Sequence, residues 1–438
     1  MSFCDCSLEI CTFKSQKNLM EEYGKILLIA MPAFLFLVAF EKLYGYFRNN
    51  DTMPLVDAVS SLSSGLSNVV KDVLGLSINI ITYQWLVVHI AIYHIEETWL
   101  MYVIAFIVID FYGYWSHRFD HEINFFWNEH IIHHSSEEFN LACALRQPVS
   151  GIVRVFNFLL IPAALVGIPE NVIAVVLPLH LFAQFWYHTR HIGRMGFMEY
   201  IIVTPSHHRV HHAMNPEYLD KNYGQIFIFW DRLFGTYQEE KAEITPVYGI
   251  TRPANTWNPF IINYKHLALM LSDAWRAPKL IDKLRIWFMP TGWRPAGFED
   301  KYPVKKVTDV YRLHKYQSYL PKPLFYWSIA QLFGTLILNS HLFGNIASIG
   351  TPGIFVYGFF NMLTIYCFTD LMDRNRFNWI FELVRIVFAI VILIYFNSWF
   401  GLIGIYVYLL LGYLGTSFLI SLYYSQNELT PQNTVYAT

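Results

Sequence analysis

Long apolar runs alternate with polar stretches along this chain and set its organisation. Ile26 to Tyr46 is almost continuously apolar, with Pro32 inside it. A helix needs about 20 such residues to cross a bilayer, and a proline within it is tolerated. Val73 to Ile95 reads as a second span, broken by Gln84, His89 and His94. Trp99 to Trp115 reads as a third and runs straight into His117. Ile152 to Gly167 and Val172 to Tyr187 are shorter, parted by the turn signal Gly167-Ile168-Pro169-Glu170. Two short apolar helices of this kind form either crossings or a re-entrant hairpin. Residues 189–322 are polar and rich in Trp, Pro, Lys and Arg. After Pro321 come four apolar blocks: Phe325–Phe343, Ile354–Phe368, Trp379–Phe396 and Phe400–Tyr423. There is no internal repeat and no low-complexity tract.

This pattern predicts an all-α, polytopic membrane protein. Its expected divisions are an N-terminal segment with the first membrane helices (1–97), a histidine-rich di-metal domain with membrane helices (98–260), a cytosolic connecting segment (261–322) and C-terminal membrane helices (323–438). Composition agrees: 55% of residues are hydrophobic and only 15% charged, against about 25% charged in a soluble domain. A net charge of −2 gives no reason to expect nucleic acid. More than half of the Lys and Arg lie between Arg190 and Lys322, which places that stretch and the histidines near it on the cytosolic side. The cysteines build no disulfide framework. Cys4, Cys6 and Cys11 are expected to be free thiols; Cys143 and Cys367 stand alone. The sequence carries no signal of oligomeric state.

Twelve of the 17 histidines fall between His117 and His212. His117 and His121 are four apart, so on a helix they share a face. His130-x2-His133-His134 and His208-x2-His211-His212 repeat one pattern. Neighbouring helical residues diverge by about 100°, so each adjacent pair can serve two metals. His188 follows the Val172–Tyr187 run and is a further candidate ligand. Histidine is the commonest protein ligand for a transition metal, and one tetrahedral ion takes about four ligands. The set His117, His121, His130, His133, His134, His188, His208, His211 and His212 therefore points to two metal ions. His191 fits a ligand or a solvated ring equally. His89, His94, His180, His266, His314 and His341 lack partners at ligand spacing and are expected to be structural.

Four residues are expected to support the ligands. Asp110, inside an apolar span, is expected to accept a hydrogen bond from a ligand ring, directly, through Tyr114 or through water. Gln184 is placed to hold a metal-bound water, His207 to orient His208, and Asp231 is expected among the residues that support the ligands from behind. Glu122 borders the cluster and is the candidate acid/base; Glu137 and Glu138 are weaker versions. Phe125 stands where H-E-x-x-H would need its second histidine, and neither a C-x-x-C nor a G-x-S-x-G frames another active site. Imidazole ligation suits iron, zinc, copper or nickel alike. Placement at a water–bilayer boundary favours iron and oxygen chemistry on an alkyl chain over zinc hydrolysis.

These motifs resemble the fatty acid hydroxylase/sterol desaturase superfamily of membrane di-iron proteins, and within it the alkylglycerol monooxygenases. The segments that carry the resemblance include Trp115-Ser-His-Arg, His133-His-Ser-Ser-Glu137, Asn140-Leu-Ala-Cys-Ala-Leu-Arg146-Gln147, Gln184-Phe-Trp-Tyr-His188-Thr189, Thr204-Pro-Ser-His-His-Arg-Val-His-His212, Asp220-Lys-Asn-Tyr223-Gly224 and Trp230-Asp231. The blocks Val247-Tyr-Gly-Ile and Gly292-Trp-Arg-Pro extend it. The resemblance implies two irons, O2, tetrahydrobiopterin as reductant and an alkylglycerol or other long-chain lipid as substrate. The implied reaction hydroxylates the carbon beside the ether oxygen, and the hemiacetal collapses to a fatty aldehyde and a glycerol derivative. It also implies the endoplasmic reticulum membrane in a eukaryote, or the inner membrane in a bacterium. Sibling readings are a fatty acid or sterol hydroxylase or desaturase, and a metal-clipped lipid-binding protein. Arg190 and His191 depart from the acid that commonly follows the Thr189 position in the family.

Overall fold

The computed structural model describes residues 5–93, 98–318 and 320–426, with side chains of the first helix from Gly24 onward. The expected thiols Cys4, Cys6 and Cys11, and His94, lie outside the described side chains.

The chain is mostly helical. It opens with α1 (Asp5–Phe47), which contains Pro32, and α2 (Leu55–Val73). Short α3 (Tyr83–Ile90) precedes α4 (Trp99–Glu122) and α5 (Trp127–His134). Then come α6 (Ile161–Val166), α7 (Glu170–Phe182), α8 (Pro205–His211) and α9 (Phe229–Phe234). A polar layer follows, with α10 (Pro259–Arg276), α11 (Leu280–Phe288) and the single turn α12 (Phe298–Lys301). The C-terminal bundle is α13 (Lys322–Gly344), the turn α14 (Ile346–Ile349), α15 (Gly353–Met372), α16 (Asn378–Phe396) and α17 (Ile405–Gln426). Two short strands, β1 (Ile78–Asn79) and β2 (Val153–Arg154), pair in parallel.

Five described helices are long and apolar enough to cross a bilayer: Gly24–Phe47 of α1, α4, α15, α16 and α17. This is a multi-pass membrane protein. Large apolar side chains such as Ile29, Phe36, Ile394 and Tyr408 face outward from these helices, as residues in contact with lipid do.

The two largest apolar cores among the described residues hold most of the helices. The larger joins both ends of the chain: Leu27, Val59 and Val70 of α1 and α2 pack with Leu332, Tyr357, Phe360, Ala389 and Leu414 of the C-terminal bundle. The second joins α3, α4, α6 and α7 through Leu86, Ala105, Ile109, Ala164, Val172 and Val176.

One expectation needs correction, and one helix falls outside the expected spans. Val73–Ile95 is not one span. The chain leaves α2 at Val73 and turns at Gly75 with φ 62, where a side chain is disfavoured. It then pairs as β1, and α3 restarts from a Thr82 cap whose side chain accepts from Trp85 N. Conversely, α2 answers to no apolar run. Its buried face is built from Ser60, Ser61, Ser63, Ser64 and Ser67, small polar residues that lack an apolar signature but let backbones approach. At Gly65 a Cβ would lie 2.7 Å from the Leu145 carbonyl oxygen. That close approach brings α2 against the loop carrying Arg146. The short pair parted at Gly167 forms α6 and α7, and neither has the length of a crossing.

Candidate metal centre

The apolar helix α4 emerges at its C-terminal end with His117 and His121 one turn apart, both buried. Facing them is α5, which supplies His130, His133 and His134. His208 and His211 come from α8, and His212 is its C-cap. His188 lies in the turns after α7, six residues beyond the helix end at Phe182 rather than closing it.

These nine rings form two groups. His117, His121, His130, His134 and His211 make the first; His133, His188, His208 and His212 make the second. Within each group the candidate ligand atoms all lie within 4.8 Å of one another. The adjacent pairs split as helical geometry requires: His134 and His211 point into the first group, His133 and His212 into the second.

Nitrogen is set against nitrogen. His117 Nε2 lies 2.9 Å from His130 Nε2, His208 Nε2 is 2.8 Å from His188 Nε2, and His212 Nε2 is 3.0 Å from His208 Nε2. Where Nδ1 carries the ring proton, the facing Nε2 atoms present lone pairs to each other. Burial, then mutual repulsion, holds His130, His134, His208 and His212 well below the usual imidazole value, and takes His133 down to about 3. The rings outside the spans are therefore neutral near pH 7, the state that ligates metal.

The tautomers are set from behind. His117 Nδ1 is 2.8 Å from the Tyr223 carbonyl, His133 Nδ1 3.2 Å from that of Arg146, His188 Nδ1 3.1 Å from that of Gln184 and His211 Nδ1 3.0 Å from that of Lys221. Donation from Nδ1 leaves the Nε2 lone pair free to bind an ion. Among the described residues, buried His211 Nε2 has no hydrogen-bond partner, as expected of a donor atom reserved for a metal. The donor set, all imidazole and free of thiolate, fits iron.

One loop orients three rings of the first group. Asp220 and Asn222 adopt φ values of 57 and 56, the left-handed region that Asp and Asn tolerate. The intervening Lys221 carbonyl reaches His211, the Tyr223 carbonyl reaches His117, and Asp220 Oδ1 stands 3.4 Å from His121 Nδ1. Asp231 anchors the loop: its carboxylate accepts from Tyr223 N, Gly224 N and Thr236 Oγ1, each at 2.7 Å. Gly224 has no room for a Cβ, which would lie 2.7 Å from Asp231 Oδ2.

A model of the fatty acid hydroxylase family matches residues 102–236, the stretch that holds all nine rings. Human alkylglycerol monooxygenase is 32% identical, over 84% of this chain and 82% of that protein. The alkylglycerol monooxygenase of Xenopus tropicalis is 35% identical over 60% of this chain and 58% of its own. The chain belongs to the alkylglycerol monooxygenase family. More distantly, the ornithine lipid hydroxylase OlsE of Rhizobium tropici is 29% identical over 34% of this chain and 45% of its own. No solved structure matches.

In this family member the supporting residues are arranged differently from what spacing suggests. Asp110 touches no ring of either group. It accepts from His180 Nε2, Ile226 N, Phe227 N and Trp230 Nε1. A buried carboxylate needs several donors; the backbone at 226–227, the Trp230 indole and the His180 ring supply them. His180, set aside as structural, is thus a partner of Asp110. The Gln184 side chain bonds His180 and Gln225; toward His188 it acts only through its carbonyl. His207 caps its own helix, its Nδ1 accepting from Thr204 N, and does not touch the His208 ring. His191 sits beside Thr52 and Tyr44, outside both groups. Glu122 is partly exposed and pairs with Arg118 at 2.9 Å. Glu41, Asp220, Lys221 and Tyr223 were given no role by spacing. Glu41, buried in α1, accepts from Thr189 Oγ1 at 2.6 Å and so holds the residue after His188. Backbone acceptors leave no side-chain signature, and Glu41 lies far upstream of the matched region.

Proposed function

We propose that this protein is a glyceryl-ether monooxygenase that cleaves the O-alkyl bond of alkylglycerols, using O2 and a tetrahydropterin such as tetrahydrobiopterin. The observation that carries the reading is the pair of buried imidazole groups at the point where an apolar helix leaves the membrane. The nine histidines would hold two irons. When bound, these would supply activation of O2 and removal of hydrogen from the carbon beside the ether oxygen. One oxygen atom enters the C–H bond and the other leaves as water; two electrons and two protons come from the tetrahydropterin. The hemiacetal product splits into a fatty aldehyde and a free glycerol hydroxyl.

The chain contributes position and dryness. The loop 220–224 keeps rings of the first group turned toward the ion. The Gln184 and Arg146 carbonyls do the same in the second. Glu122, on α4 beside His121, is proposed as the acid/base group that moves a proton at the mouth of the site, with Arg118 as its partner. The basic character of 190–322 supports a cytosol-facing site, in the endoplasmic reticulum membrane of a eukaryote or the inner membrane of a bacterium.

Aldehyde release from an alkylglycerol by purified, iron-loaded protein tests this. Formation only with both O2 and tetrahydrobiopterin is expected. Hydroxylated or desaturated lipid with another reductant would keep the metal centre and discard the ether substrate.

A further inference from the structure

A cavity of about 310 Å³ adjoins the metal centre through Ser135 and Arg146. It opens between the start of α2, the segment after α5, and residues 250, 254–257, 315–318 and 320. Its floor is tied to the metal centre. Arg146 lines it and gives its carbonyl to His133, while its guanidinium binds Asp57, Ser61 and Ser135, each at 2.8 Å. Ser135 directly follows His134.

The lining has a definite chemistry. One wall is aromatic: the Trp257 and Tyr316 rings have centroids 5.1 Å apart. Both are fixed from behind by Asp373, which accepts from Trp257 N at 2.8 Å and Tyr316 OH at 3.0 Å. Opposite is Glu137. Its Oε2 accepts from Tyr316 N at 2.5 Å, and no bond reaches Oε1 among the described residues. Lys315, at 2.6 Å from Glu138, stands at the rim. The walls come from loops of the polar layer and from α2, not from the lipid-facing helices α16 and α17. None of the lining residues belongs to a helix long and apolar enough to cross the bilayer, where an alkyl chain would arrive. A small, flat, water-borne heterocycle does fit a cavity with an aromatic wall and a charged floor.

We propose that this cavity seats the tetrahydropterin, an inference that rests on the pterin-dependent reading above. The pyrimidine edge of a pterin carries two adjacent N–H donors, and Glu137 offers a carboxylate to receive them. Trp257 and Tyr316 supply a stacking surface. Residues outside the fatty acid hydroxylase match build most of this seat, so the C-terminal bundle, through Asp373, shapes it.

Anaerobic equilibrium dialysis of tetrahydrobiopterin against the iron-loaded full chain tests the assignment without turnover. Glu137→Gln is expected to raise Kd more than tenfold with iron content unchanged. Ala254→Phe, which narrows the cavity without removing a bond, is expected to do the same and covers a folding defect in the first variant. Wild-type binding that both variants retain would place the pterin elsewhere and overturn the cavity assignment alone. No binding to the wild type would overturn the pterin reading itself.

Discussion

His117 Nδ1 meets the backbone carbonyl of Tyr223 at 2.8 Å, and that peptide is clasped by Asp231. A ring on a membrane helix is thereby oriented by a loop more than 100 residues later. In Asp231→Asn the amide nitrogen in place of Oδ2 would face the Gly224 N–H, donor against donor. The expected cost is about 1–3 kcal/mol for an unmet buried group, with weaker iron retention. Thermal unfolding in detergent and metal analysis after dialysis check this; unchanged values in both would remove Asp231 from the support of His117.

The two histidine groups predict separable metals. His211→Ala opens the first group and His133→Ala the second. Each should reduce bound iron toward half of wild type and abolish activity, with membrane insertion intact. Mass-spectrometric metal content per chain is the readout. Full iron or retained turnover in either variant would contradict the ligand assignment.

Glu122 sits next to a candidate ligand yet lies outside both groups. Glu122→Gln is expected to lower turnover by about 10²–10⁴, the range for loss of a general acid or base, while iron content stays near wild type. A normal rate would leave Glu122 only its surface pair with Arg118.

Asp373 gives the fold a pH signature away from the metals. Burial raises its carboxyl from 3.8 to about 6, against the lowering effect of its bonds to Thr256, Trp257 and Tyr316. A carboxyl with a higher pKa folded than unfolded holds its proton more tightly in the folded state. Its stabilising contribution is therefore full below pH 3.8 and is lost as pH rises through 6. Asp373→Asn keeps the acceptor for Trp257 and cannot titrate. Between pH 4 and 7 the wild-type Tm should fall relative to the variant; parallel curves would refute the assignment.

The sequence by itself determined the class, most of the spans and the identity of the converging rings. Those features are local. Apolar runs of bilayer length predict helices wherever they occur, as at Ile26–Tyr46 and Trp99–Trp115, and three- and four-residue spacing aims imidazoles along one face. The divergence of His133 from His134 follows from helical pitch alone. Tertiary structure decided how the rings divide, because His211 joins His117 and His188 joins His133 only once α8 and the turns after α7 are packed against α4 and α5. It also decided the supports: Tyr223, Lys221 and Arg146 act through carbonyls that every residue possesses, so their residue types carry no trace of the role. Asp110 shows the converse. Its cost in an apolar span marks it as important, but its partner depends on which backbone passes nearby, and that was the 226–230 segment rather than a ligand ring. Helix α2 escaped notice for the same reason: its serines are buried by close approach to neighbours, a property of packing and not of hydropathy.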